Sequence, residues 1–163
     1  MMKSSPSIAR TVSLWLRCLV AGAFTLPGLA LAQAEGGLYI AGNGFTLQQA
    51  ATRGLAQNPG GQRFFLLVLP PHTRALAMTA PESLVAVRNQ VMAGNGVLLV
   101  CQRDIDNGSI DPTNLLPGVI AVRGWPPPGS NALPVGERYY PDEDPANLPQ
   151  ATDALRRLRA TCS

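Results

Sequence analysis

Four short apolar runs alternate with stretches in which apolar positions recur every three or four residues. The clearest run is Val97-Leu98-Leu99-Val100, which follows Gly96 and leads into Cys101-Gln102-Arg103-Asp104. Such a run predicts a central strand buried on both faces, with its C-terminal end opening into polar chemistry. Leu38-Tyr39-Ile40-Ala41 predicts a first strand, with Gly42-Asn43-Gly44 as the turn after it. Arg63 to Leu69 predicts a second, fully apolar strand that Pro70-Pro71 ends, and Val119 to Val122 predicts a short fourth.

The segments between have helical periodicity. Thr46 to Gln49 has the spacing of a capping box, and the helix after it puts Leu47, Ala50, Ala51, Gly54 and Leu55 on one face before Asn58-Pro59-Gly60-Gly61 stops it. Pro81 suits the first position of a second helix, whose buried stripe is Leu84, Val87 and Val91 and whose cap is Gly94. A last helix is expected over about 148–160. There Leu148, Ala151, Leu155, Leu158 and Cys162 face the protein, and Arg156, Arg157 and Arg159 sit near the C-terminus, where a helix favours cations. Shorter helical turns are expected in His72 to Met78 and from Pro112. Residues 124–137, rich in Pro and Gly, read as an extended loop, with Tyr139-Tyr140 as an edge segment after it. Apolar strands alternating with helices predict a small three-layer α/β domain around a mainly parallel four-stranded sheet.

The start of the chain has a different pattern. Lys3, Arg10 and Arg17 form a basic region, Cys18 to Ala32 is mostly apolar, and Ala30-Leu31-Ala32 offers a small-x-small cleavage site before Gln33. Residues 1–32 therefore read as a secretory signal peptide, and 33–163 as one exported, periplasmic domain with no stable membrane insertion after cleavage. Three of the 13 Lys and Arg residues lie before Gln33 and all 10 acidic residues lie after it, so the mature domain carries 10 charges of each sign. Electrostatic nucleic-acid binding loses its basis. Lys3 is the only lysine, which excludes a Schiff-base or P-loop lysine from the mature domain.

Two cysteines remain after cleavage, Cys101 and Cys162. An even pair in an oxidising compartment suggests a disulfide; a buried reduced thiol and a reactive thiol are the alternatives. The C-terminal ends of parallel strands share one edge, which would gather His72 and Arg74, Cys101 and Arg103, and Arg123 and Trp125. A catalytic reading follows, with Cys101 as a thiolate stabilised by Arg103 or His72. The competing reading is a non-enzymatic docking surface of Trp125, Tyr139 and Tyr140, since exposed aromatics anchor interfaces. Familiar motifs fail on spacing. The third glycine of a dinucleotide fingerprint would fall at Leu47. A calcium loop starting at Asp104 would put Ser109 where glycine is required and Leu115 where glutamate is. Asp142-Glu143-Asp144 reads as a solvated acidic turn, and no metal or cofactor site is expected.

The region Gly96 to Val122, with its strand ending in Cys101 and its Leu115-Leu116-Pro117-Gly118-Val119 segment, resembles the second half of DsrE/DsrF-like domains. That resemblance implies a DsrE-like fold and a sulfur-carrying role for Cys101. Val97 to Val100 with Gln102 to Ser109 is also similar to TrbC-type periplasmic proteins of conjugative pilus assembly, which implies a thioredoxin-like fold as the alternative. The mature chain, with Arg123-Gly124-Trp125-Pro126-Pro127-Pro128 and Arg138-Tyr139-Tyr140-Pro141-Asp142, resembles small exported proteins encoded in integrative conjugative elements. It implies an accessory part of a conjugative (type IV secretion) apparatus whose partners are envelope proteins.

Overall fold

The computed structural model describes residues 37–130, 133 and 138–163. The expected signal peptide and most of the second half of the Pro-rich loop lie outside the described residues. Strands β1 (Leu38–Ala41), β2 (Phe64–Val68), β3 (Gly96–Cys101) and β4 (Ile120–Val122) pair in chain order, every pair parallel. Between them run helices α1 (Leu47–Gln57), α2 (Glu82–Ala93) and the short α3 (Gln102–Asp106), and α4 (Thr152–Cys162) closes the described chain. The result is a three-layer α/β domain.

The continuous apolar character of the strands has a direct structural cause. Alternate residues point to opposite faces, and each face is covered. Phe64, Leu66 and Val68 of β2 pack with Leu47, Ala50 and Ala51 of α1 and with Val87 and Val91 of α2. Phe65, Leu67 and Leu69 pack with Leu155, Leu158 and Cys162 of α4. All five β2 residues are buried. Gly54 lets α1 sit close against β2: a Cβ there would come within 2.5 Å of the Phe64 ring.

The α1 capping box forms as its spacing predicts, with Thr46 Oγ1 accepting from the Gln49 N–H and Gln49 Oε1 accepting from the Thr46 N–H. Other elements differ from expectation. The last helix begins at Thr152 rather than near Leu148, because Pro149 disfavours helical backbone at the residue before it and Leu148 is extended. Ala151 is consequently exposed at the N-cap instead of on the buried stripe. Tyr139-Tyr140 forms no strand. Helix α3 forms at the polar end of β3, where the chain pattern predicts no helix; at five residues it is too short to show a period.

Strand order 1-2-3-4 has a consequence for function. The order never reverses, so the sheet has no topological switch point at which neighbouring loops splay apart into one deep crevice.

Candidate functional site

Cys101 ends β3 and Cys162 ends α4, and the two are joined by a disulfide with Cα atoms 5.1 Å apart. Cys101 is fully buried. The bridge fastens α4 to the middle of the sheet, and in that state Cys101 presents no thiol. Among the described residues neither expected thiolate partner hydrogen-bonds to it. Arg103 is turned to the chain terminus, where Nη1 donates to the Ser163 carbonyl oxygen, and its Nε lies 3.4 Å from Asp104 Oδ1. His72 opens a 3₁₀ turn (His72–Leu76) after β2, and its side chain hydrogen-bonds to neither Cys101 nor Arg103.

The aromatic candidates separate in the same way. Trp125 is 42 % exposed, whereas Tyr140 is 4 % exposed and is removed from any docking surface. Tyr140 lies between two guanidinium groups, Arg123 at 4.0 Å and Arg159 at 5.0 Å from the ring centre, and its hydroxyl donates to the Gly124 carbonyl. Tyr139 is half-buried, with its hydroxyl 3.2 Å from Gln150 Oε1.

Beneath Tyr140 lies a polar centre that strand and helix periodicity gave no reason to expect. Arg159 has no exposed surface and forms a two-pronged contact with Glu143: Nη1 to Oε1 at 2.7 Å and Nη2 to Oε2 at 2.5 Å. Nη1 also donates to the Arg123 carbonyl and Nη2 to the Arg138 carbonyl, and Glu143 Oε2 accepts from the Tyr140 N–H. Glu143 thus departs from the expected solvated acidic turn, because a charge buried on α4 requires a carboxylate opposite it. Asp142 behaves as expected of an exposed carboxylate, but the Arg123 guanidinium that donates to it holds its carboxyl below the usual range. Asp144 caps the next 3₁₀ turn by accepting from the Ala146 N–H.

These contacts close the base of the Pro-rich loop and fix where Trp125 emerges. Gly124 packs against the chain terminus so tightly that a Cβ would fall 2.4 Å from the Ser163 backbone. The next residue, Trp125, donates its backbone N–H to Ser163 Oγ at 2.8 Å. The indole is therefore exposed on an anchored backbone.

Two further polar residues escaped the sequence reading. Arg88 is buried on α2, and Asp104 is buried on α3 with Oδ2 lacking a hydrogen-bond partner among the described residues. Arg88 lies four residues after Leu84, and Arg159 four after Leu155, so each extends an apolar stripe. That position was the available signal for a buried cation. Among the described residues no group of three or more His, Cys, Asp or Glu side chains could hold a metal ion, and no helix is long and apolar enough to cross a membrane.

Compared with known proteins, the chain matches no family model, no curated protein and no solved structure.

Proposed function

We propose that this protein is an exported, non-enzymatic accessory domain of a conjugative transfer (type IV secretion) apparatus that works by docking onto envelope proteins through the surface around Trp125. The observation that carries the docking half is the contrast between groups used inside the domain and the one aromatic left exposed. Cys101 is tied in a disulfide, Arg159, Glu143 and Tyr140 are spent on each other inside the domain, and Trp125 alone of the three candidate aromatics is exposed. An aromatic held on a fixed backbone loses little conformational freedom on binding, which favours it as an anchor. The apparatus is suggested by the resemblance of the Arg123–Pro128 and Arg138–Asp142 segments to small exported proteins of integrative conjugative elements. A disulfide between Cys101 and Cys162 suits an oxidising compartment such as the periplasm. The sulfur-carrier reading would first require that bridge to be opened.

The test is co-purification of the native protein with envelope components from cells that carry the transfer genes. Trp125→Ala is expected to abolish recovery of those components while leaving the melting temperature unchanged. Equal recovery with the alanine variant overturns the Trp125 surface. Loss-of-gene cells that transfer DNA at the normal frequency overturn the assignment to the apparatus.

A further inference from the structure

The tetrapeptide Ala-Gly-Asn-Gly occurs twice in the chain, at 41–44 and at 93–96, and a third Asn-Gly step stands at Asn107-Gly108. An asparagine side-chain amide is most easily lost before glycine, because glycine has no Cβ to hinder its own backbone nitrogen from attacking the side-chain carbon. Ring closure needs the asparagine amide and the next N–H to be free and the peptide between them to rotate. Identical tetrapeptides can therefore have different fates, set by what the fold holds in place.

Two of the three steps are held. Asn107 has both reacting groups engaged: its Oδ1 accepts from the Ser109 N–H at 2.9 Å, and the Gly108 N–H donates to the Ile105 carbonyl at 3.0 Å. Asn95 donates its side-chain amide to the Gly61 carbonyl at 2.9 Å, and its own carbonyl accepts from the Phe64 N–H. Gly96, which opens β3, is wedged in place: a Cβ there would fall 2.5 Å from the Val91 side chain and 2.7 Å from the Phe64 ring. The peptide between Asn95 and Gly96 has no room to turn.

Asn43 differs on each count. Asn43 and Gly44 are both exposed, and among the described residues neither the Asn43 amide nor the Gly44 N–H has a hydrogen-bond partner. A Cβ on Gly44 would meet nothing within 4 Å. The two residues have φ of 51° and 92°, as a two-residue Asn-Gly turn requires. Backbone bonds of 2.8 and 3.0 Å between Gly42 and Phe45 close this turn at the end of β1, so its opening is local.

We propose that Asn43 is a site of spontaneous deamidation in the folded protein. The Gly44 nitrogen gives its proton to hydroxide and attacks Asn43 Cγ; the bond from Cγ to the side-chain nitrogen breaks, and ammonia leaves with a proton from water. Water then opens the five-membered imide at either carbonyl, leaving aspartate or isoaspartate at position 43. Net, one water is consumed and one ammonia released, with no oxidation or reduction. The product places a carboxylate in the cleft of about 170 Å³ that Asn43, Phe45 and Arg53 line, and so adds one negative charge beside the first strand. The proposal is independent of the docking surface around Trp125.

The experiment is incubation of the oxidised protein in mildly alkaline buffer, followed by reduction, tryptic digestion and mass spectrometry. Cleavage after Arg53, Arg88, Arg103 and Arg123 puts the three Asn-Gly steps on separate peptides. Each hydrogen bond on a reacting group protects it a few-fold, so Asn43 is expected to convert at least about tenfold faster than Asn95 or Asn107. The same incubation of the reduced chain in guanidinium should bring the three rates to within a few-fold of one another, because the lead of Asn43 comes from the fold. The proposal is overturned if Asn95 or Asn107 converts as fast as Asn43 in the folded protein. It is equally overturned if Asn43 keeps its lead in the unfolded chain, or if it stays intact in the folded protein over a period that converts the unfolded one.

Discussion

Arg159 of α4 and Glu143 of the segment after the Pro-rich loop meet through two parallel N–H···O contacts, with the arginine wholly out of solvent. The pair joins parts of the chain that no local signal connects. It also draws in the carbonyls of Arg123 and Arg138, the two sides of the loop's base. Removing one member leaves a buried charge without its counterpart. Glu143→Gln or Arg159→Leu is therefore expected to lower unfolding stability by about 3–5 kcal/mol. Urea denaturation of the oxidised protein checks this, and a loss below about 1 kcal/mol would show that the pair is replaceable by the surrounding carbonyls and water.

The disulfide encloses a segment with a sequence separation of 61 residues. In the chain-entropy model its removal costs about 4 kcal/mol. The double variant Cys101→Ala, Cys162→Ala should show a loss of that order in the denaturation midpoint. Iodoacetamide should leave the native oxidised protein unlabelled and modify both sulfurs after reduction under denaturing conditions. Labelling of Cys101 in the native, unreduced protein would refute the bridge.

The Arg123–Asp142 contact predicts a pH effect with a definite sign. The carboxyl of Asp142 is held below its ordinary value by the hydrogen bond from Arg123. Its contribution is therefore present above the unfolded-state value for aspartate and is lost as pH falls through the lower folded-state value. Both side chains are substantially exposed, so the effect on stability is expected to be small and to shrink with added salt. An NMR titration should show the Asp142 carboxyl moving up towards its ordinary range in Arg123→Gln. An unchanged titration curve would mean that the contact is not kept in solution.

Gly54 tests the packing between α1 and the sheet. Alanine is the better helix former, but its Cβ would lie 2.5 Å from the Phe64 ring, which is itself fully buried. Crowding should outweigh propensity, and Gly54→Ala is expected to destabilise by about 1–3 kcal/mol. A thermal melt showing higher stability would mean that the ring can move aside.

The chain pattern by itself determined the strands, two of the long helices and the three-layer class, because strands buried on both faces must be apolar at every position and helices packed on one side must be apolar every third or fourth. Thr46 and Gln49, and the stop at Pro70-Pro71, were legible because capping and proline geometry act within a few residues. The short α3 and the late start of α4 were not, since a single turn has no period and Pro149 acts on a boundary that the stripe from Leu148 crosses. Only tertiary structure decided the fate of the polar groups. Arg159 and Arg88 extend apolar stripes, yet what they bond to lies on segments distant along the chain, and no spacing rule records such a partner. For the same reason Tyr140 and Trp125, close in composition and context, part company: one is enclosed by two arginines and a carbonyl, and the other stands clear on a backbone held by the chain terminus. Local sequence fixes which backbone conformations are cheap, while the pairing of charges across the fold depends on a three-dimensional arrangement that exists only once the sheet and α4 have come together.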